Sequence, residues 1–245
     1  MNRPRVVCVV QARMTSTRLP GKVLLRLGGR SVLEHVVRRC GLARYVDEVV
    51  VAVPDDVASM PIVEHCAALG ARAFRGSEHD VLARYASTAK ATDASVVVRV
   101  TSDCPLIEPV FIDSCVVQVL ASAATEWPFD YFSNVDPRRL PRGLDVEVFT
   151  AEALERAQAG ATLASEREHV TPYLRTRSEF RRGSLSTPGD FSNLRWTLDT
   201  PEDFAMLSRL FELGGDDLDF PTALAVGRSD PAIAAINANV AQKAI

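Results

Sequence analysis

Lysine is almost missing from this sequence. Among 28 Lys and Arg side chains only Lys22, Lys90 and Lys243 are lysines, so a lysine directly after a Pro-Gly turn, as Lys22 is, runs against the chain's own habit. A surplus of positive charge is missing too. The formal net charge of -3 gives no general attraction to nucleic acid or to an anionic membrane, so an anion site must be a local arrangement. The cysteines, Cys8, Cys40, Cys66, Cys104 and Cys115, are odd in number, scattered and without a Cys-x-x-Cys pair. That spacing excludes a zinc site and a disulfide framework, and it suits a reducing cytoplasm. No apolar run reaches membrane length or forms a signal-peptide core. The expectation is a soluble, cytoplasmic protein with no nucleic-acid or membrane partner.

What is present is ordinary in bulk and specific in detail. The 245 residues, 47% hydrophobic and 24% charged, are enough for one sizeable α/β domain. Residues 6–10, Val-Val-Cys-Val-Val, read as a buried strand. The stretch that follows, residues 11–22, is Gln-Ala-Arg-Met-Thr-Ser-Thr-Arg-Leu-Pro-Gly-Lys. Leaving the carboxyl end of a central strand, it lies where open α/β sheets bind ligands. Arg13 and Arg18 offer planar forks to phosphate oxygens, Lys22 a point charge, and Gly21 a close backbone approach. This reads as a triphosphate-binding loop; the alternative is a solvated, arginine-rich turn. It is not a Walker loop, because Ser16 and Val23 stand where that motif needs glycine and a hydroxyl.

Strands then alternate with helices through the first half, predicting βαβ units with right-handed crossovers. Residues 48–53, 71–74 and 95–100 read as strands, and the helices between them carry apolar residues at helical spacing. His35 and His65 read as partly exposed helix residues. Arg75 ends the third strand, as part of a helix start or as a contact to a nucleotide base or phosphate. Asp103 follows the fourth strand and is read either as a turn aspartate or as a carboxylate facing the first loop. From about residue 127 the rhythm changes, and residues 127–190 are expected as a smaller element inserted beside the main sheet. His169 there lies between charged residues and a Thr-Pro turn. Residues 194–203 end in a strong helix start, with Thr200 as cap, Pro201 at the first position and Asp203 at the third. Asp199 ends the strand expected before it, where its carboxylate can pair with Asp103 around a divalent cation.

In this order the pieces resemble the cytidylyltransferase family of the spore-coat polysaccharide biosynthesis type, relatives of the enzymes that make CMP-linked 3-deoxy-sugar acids and CMP-nonulosonic acids. The matching stretches are residues 11–22, 74–85, 99–109, 143–149, 167–173 and 194–203. The resemblance implies an α/β nucleotide-diphospho-sugar transferase fold: a Rossmann-like three-layer sandwich, its mainly parallel mixed sheet lying between helices. It implies one domain over residues 1–245 with a small dimerisation or substrate arm at about 127–190, and a homodimer. The implied reaction is Mg²⁺-dependent attack of a sugar-acid oxygen on the α-phosphorus of CTP, releasing pyrophosphate. By position, Gln11, Ala12, Arg13, Ser16, Arg18, Lys22, Arg75 and Thr101 would seat the nucleotide, and Arg13, Lys22 and Asp103 would act in catalysis. Asp103 and Asp199 would hold Mg²⁺, and Glu147, His169 and Tyr173 would face the second substrate. An acidic sugar also needs a cationic wall, for which Arg138, Arg139 and Arg142 are candidates. Thr15 and Ser102 stand where the family usually has glycine, which would narrow the pocket if a left-handed backbone or close ligand approach were needed. Two other readings remain: a sugar phosphate or phosphonate as acceptor, or a non-catalytic nucleotide-binding partner of a biosynthetic assembly.

Overall fold

The computed structural model describes residues 3–242. Strand β1 (Val6–Gln11) is central, and its five apolar residues have no exposed surface. It pairs in parallel with β4 (Glu48–Pro54) on one side and β6 (Val96–Thr101) on the other, while β5 (Arg72–Gly76) extends the parallel half beyond β4. Strands buried on both faces read as near-continuous apolar, β-branched runs, as β1 and the middle of β4 do, whereas the edge strand β5 is partly exposed. A two-stranded ribbon, β2 (Arg26–Leu27) with β3 (Arg30–Ser31), lies outside this sheet.

Side chains alternate between two cores along each strand. Val6, Cys8 and Val10 pack under helices α1 (Val32–Gly41), α2 (Met60–Ala68) and α4 (Pro109–Ser122). Val7 and Val9 face the opposite layer, α3 (Val81–Ala91) and α5 (Ala151–Gly160), with α6 (Ala164–His169) and α7 (Pro172–Thr176) beside them. A third apolar cluster joins α8 (Pro201–Gly214), α9 (Phe220–Ser229) and α10 (Ala232–Ile236) to Leu27, Leu106, Leu144 and Trp196.

Residues 127–190, expected as an arm beside the main sheet, contribute three of its seven strands. These are β7 (Tyr131–Ser133), β8 (Glu147–Thr150) and β9 (Arg182–Ser184), and the sheet order is β5-β4-β1-β6-β8-β7-β9. Strand β8 runs antiparallel to both β6 and β7, and β9 is parallel to β7. With strands of three or four residues, the segment lacks a periodicity that reveals sheet membership. The result is the mixed, mainly parallel sheet between helical layers that the family resemblance implies.

Two local expectations are corrected. His35 is buried, because its ring nitrogen meets the Leu27 carbonyl at 2.8 Å and its ring packs 4.5 Å from that of Phe211. Residues 194–199 do not form a strand of the sheet; the segment is extended and touches residue 142 through a single bridge at Arg195. That contact depends on Gly143. Its φ is +104°, and a Cβ there would lie 2.5 Å from the Trp196 carbonyl carbon. Gly143→Ala is therefore expected to cost about 3 kcal/mol through backbone strain and overpacking. Urea unfolding would measure it, and a loss under about 1 kcal/mol would contradict the account.

Candidate active site

The first loop folds onto itself before it delivers its lysine. Ser16 and Gly21 both donate their backbone N–H groups to the Met14 carbonyl, at 2.9 and 3.1 Å. Gly21 then adopts a left-handed φ of +68°, which starts a short 3₁₀ turn over Lys22–Leu24 and turns Lys22 inward. The lysine is 8% exposed. Its ammonium has three acceptors: Asp103 Oδ2 at 2.8 Å, Asp199 Oδ1 at 2.9 Å and the Leu198 carbonyl at 2.6 Å.

Each carboxylate is fixed by its own surroundings. Asp103 follows β6, where the adjacent Ser102 N–H bonds the Gln11 carbonyl at 2.9 Å and so ties the β6 turn to the end of β1. Its other oxygen accepts the Thr101 hydroxyl at 2.6 Å. The Asp103 backbone carbonyl accepts the Leu198 N–H at 2.9 Å, which brings the Asp199 segment alongside. Asp199 Oδ2 receives Arg195 at 2.9 Å and lies 3.2 Å from Arg18. Arg195 reaches on to Asp203, which caps α8 jointly with Thr200 and also accepts the Asp199 N–H at 2.9 Å.

The electrostatics follow from this geometry. Burial alone would raise the Asp103 carboxyl, but the Lys22 ammonium overcomes that and, with the Thr101 hydroxyl, lowers its pKa to about 2. Burial likewise opposes the charge on Lys22, and the two carboxylates outweigh it, so its pKa is raised. Two carboxylates converging on one cation are a suitable donor set for a hard divalent ion, with the ammonium standing where positive charge is wanted. Among the described residues no third His, Cys, Asp or Glu joins them. Water and phosphate oxygens would therefore complete the shell, as Mg²⁺ prefers.

Arg18, Lys22, Thr101, Asp103 and Asp199 thus meet, with Gln11 and Ala12 on the strand end beside them. Ser16 lies within the loop, where its hydroxyl oxygen accepts the Leu19 N–H at 3.4 Å. Arg13 is exposed and stands near the buried Arg84, which bonds the Ser77 carbonyl and, among the described residues, pairs with no carboxylate. Arg75 is placed apart from the carboxylates, paired with Asp55 at 2.8 Å. Neither Thr15 nor Ser102 has a positive φ, so the backbone here does not require the glycines usual in the family.

The three residues read as facing a second substrate are placed separately: Glu147 on β8, His169 at the end of α6 and Tyr173 in α7. Glu147 begins β8, is buried, and is bonded by Arg99 from the neighbouring strand and by the Tyr131 hydroxyl at 2.6 Å. The nearby Thr171 hydroxyl helps to hold the pKa of this carboxyl down. His169 and Thr171 are held by a strained γ-turn: Val170 has φ +71° and ψ -58°, and the Thr171 N–H meets the His169 carbonyl at 2.8 Å. A β-branched residue in that conformation costs about 1–3 kcal/mol, and such outliers concentrate at functional sites. Tyr173 packs its ring 5.9 Å from that of Phe180, with its hydroxyl against Gly160. Of the possible cationic wall, Arg138 is held by two bonds to Asp145, Arg139 is exposed, and Arg142 faces a separate cavity.

Sequence reasoning missed Arg195, Asp203 and Arg99 as partners of site residues. Residues 194–199 are extended, so the spacing of Arg195, Asp199 and Asp203 carried no helical signal; the three meet where the chain turns into the α8 cap.

Comparison with known proteins shows the family of the chain. The family model described as cytidylyltransferase matches residues 7–223. The chain belongs to the cytidylyltransferase family. It is 33% identical over 219 residues to the spore coat polysaccharide biosynthesis protein SpsF of Bacillus subtilis, covering 86% of this chain and 88% of that protein. A cytidylyltransferase structure from Leptospira borgpetersenii superposes with a TM-score of 0.89 at 30% identity, covering 98% of this chain and all of that one. A CMP:2-keto-3-deoxy-manno-octonic acid synthetase complexed with CTP shares the fold, with a TM-score of 0.64 at 18% identity over 85% of this chain and 99% of that one. This cytidylyltransferase is accordingly a nucleotidyltransferase enzyme, and among its described residues no helix is long and apolar enough to cross a membrane.

The Arg99–Glu147 pair gives a pH prediction. Burial would raise the Glu147 carboxyl, but Arg99 prevails and its pKa lies below the ordinary 4.5. A group depressed on folding stabilises fully above its unfolded pKa and loses that contribution as pH falls through the folded value. Glu147→Gln, which leaves Arg99 buried and unpaired, is expected to cost about 3–5 kcal/mol at pH 7. Denaturant unfolding of both proteins should show this difference shrinking below pH 4.5. A difference independent of pH would contradict the assignment.

Proposed function

We propose that this cytidylyltransferase transfers CMP from CTP to a small acceptor bearing an acid group, an acidic sugar or a close chemical relative, and releases pyrophosphate with the help of Mg²⁺. The observation that carries the reading is the convergence of Lys22, Arg18, Asp103 and Asp199 at the carboxyl edge of β1 and β6. The likeness to a CMP-sugar-acid synthetase supports the acceptor class.

Nucleotidyl transfer needs the α-phosphorus held in line with its attacker and the surrounding oxygens neutralised; it needs no side-chain nucleophile. Asp103 and Asp199 would hold the metal ion, which when bound supplies Lewis acidity and ties the phosphates to the protein. Asp103, lowered to about pKa 2, is ionised across the physiological range and ready for that task. Arg13 and Arg18 lie on the same loop and present guanidinium groups to the triphosphate; Lys22 adds a compact charge at its base. Arg195 and Asp203 fix Asp199 from behind, so that carboxylate is presented in one orientation. Glu147, His169 and Tyr173 would border the acceptor side, with the Val170 turn setting the direction of His169. Arg75, at the end of β5, would contribute to seating the nucleotide.

Pyrophosphate release tests the reading, using each of the four NTPs with Mg²⁺ against a panel of acidic sugars, sugar phosphates and phosphonates. The expected result is turnover with CTP and an acid-bearing sugar. Turnover only with sugar phosphates or phosphonates would move the acceptor class, and tight CTP binding with no release for any pair would favour a non-catalytic role. Asp103→Asn is expected to lower kcat about a thousandfold while the protein stays folded. Lys22→Ala should raise the KM for CTP and lower kcat together; near-normal kinetics in either variant would remove that residue from the site.

A further inference from the structure

A cavity of about 630 Å³ lies between α8, α9, α10 and residues 190–196. It has the size of a small-molecule pocket, and much of its wall is apolar, including Phe191, Trp196, Leu210 and Ile233. It is separated from the carboxylate pair by Arg195, whose guanidinium holds Asp199 and Asp203 while also bonding Gln242 at the cavity at 2.6 Å.

The charge on the wall is unbalanced. Arg142 is half-buried and, among the described residues, its guanidinium has no hydrogen bond or ion pair. The charged groups around it are Arg138, Asp145 and Arg195, and two of these are cations. Asp145 is already engaged by Arg138 in a two-bonded pair at 2.6 and 2.7 Å. The acid on the wall, Asp190, accepts the Ser192 N–H at 2.9 Å. Gly227 of α9 also faces the space, and a Cβ there would have no atom within 4 Å. A glycine inside a helix costs about 0.5–1 kcal/mol relative to alanine, and here its missing side chain leaves the cavity open.

We propose that this cavity is a second small-molecule site, distinct from the nucleotide site, which takes an amphipathic anion: an apolar body against Phe191, Trp196 and Leu210, and an anionic head on Arg142. A charge-assisted bond to Arg142, which is less exposed than Arg228 on the same wall, would fix the head, and burial of the body would supply the remaining affinity.

The protein has only two tryptophans, and Trp127 is exposed, so Trp127→Phe leaves Trp196 as the reporter. Titration of that protein with octanoate should give a saturable change in Trp196 emission. Gly227→Phe, which fills the cavity, should abolish it. Arg142→Gln should weaken octanoate about tenfold while leaving the binding of uncharged 1-octanol unchanged. No saturable change, or an octanoate affinity equal to the parent's in either variant, overturns the proposal. Circular dichroism checks folding, and should Gly227→Phe misfold, the Arg142→Gln comparison decides alone. None of these readouts depends on CMP transfer, so the nucleotide reading and this one fail separately.

Discussion

One ammonium group ties together three parts of the chain that are far apart in sequence. The Lys22 nitrogen reaches Asp103 after β6, and the Leu198 carbonyl and Asp199 before α8, all within 2.9 Å. Without that positive charge, two carboxylates at the edge of a buried sheet would repel each other in a medium that screens poorly. With it, the first loop, the β6 turn and the segment entering α8 are held in one relative position. The candidate site is therefore also part of what closes the third core cluster over the sheet.

The supports around this bridge are graded. Thr101, on the strand, and Arg195, on the extended segment, each hold one carboxylate. Asp203, fully buried at the first turn of α8, holds Arg195 and the Asp199 backbone together. Groups fixed by secondary structure hold groups fixed by side chains, and only the outermost, Arg13 and Arg18, remain exposed. Such layering gives a preorganised charge distribution with an exposed cationic rim, as the proposed triphosphate site would need.

How much of this could be read from the sequence differed by region for physical reasons. The parallel half was legible because strands covered on both faces are largely apolar, as residues 6–10 are throughout and residues 96–100 are except for Arg99. The first loop was legible because lysine is rare here and follows Pro-Gly. Strands β7, β8 and β9 were not legible as members of the main sheet, since three or four residues carry no usable alternation. The Arg99–Glu147 pair was equally hidden: it exists only because β8 pairs with β6 in one register, and no local pattern records a register. Arg195 was missed because its partners lie beyond a cap motif that already accounted for Asp203.

The reversed direction of β8 has an effect on how this scaffold can vary. In the parallel half each strand brings its end to the ligand edge and must then cross back through a helix. Strand β7 also ends at that edge, with Ser133 opposite Glu147, and β8 begins there, with Glu147 opposite Arg99. Residues 134–146 therefore leave and re-enter the sheet at that edge, with Leu140 and Leu144 among them buried in the third core cluster. The exposed residues of this segment, Asp136, Pro137 and Arg139, can change while Lys22, Asp103 and Asp199 stay where they are, whereas Leu140, Gly143 and Leu144 are fixed by the third core cluster and the Trp196 segment. Under the proposed function, a new acceptor preference on an unchanged cluster of Lys22, Asp103 and Asp199 would have an accessible route through those exposed positions.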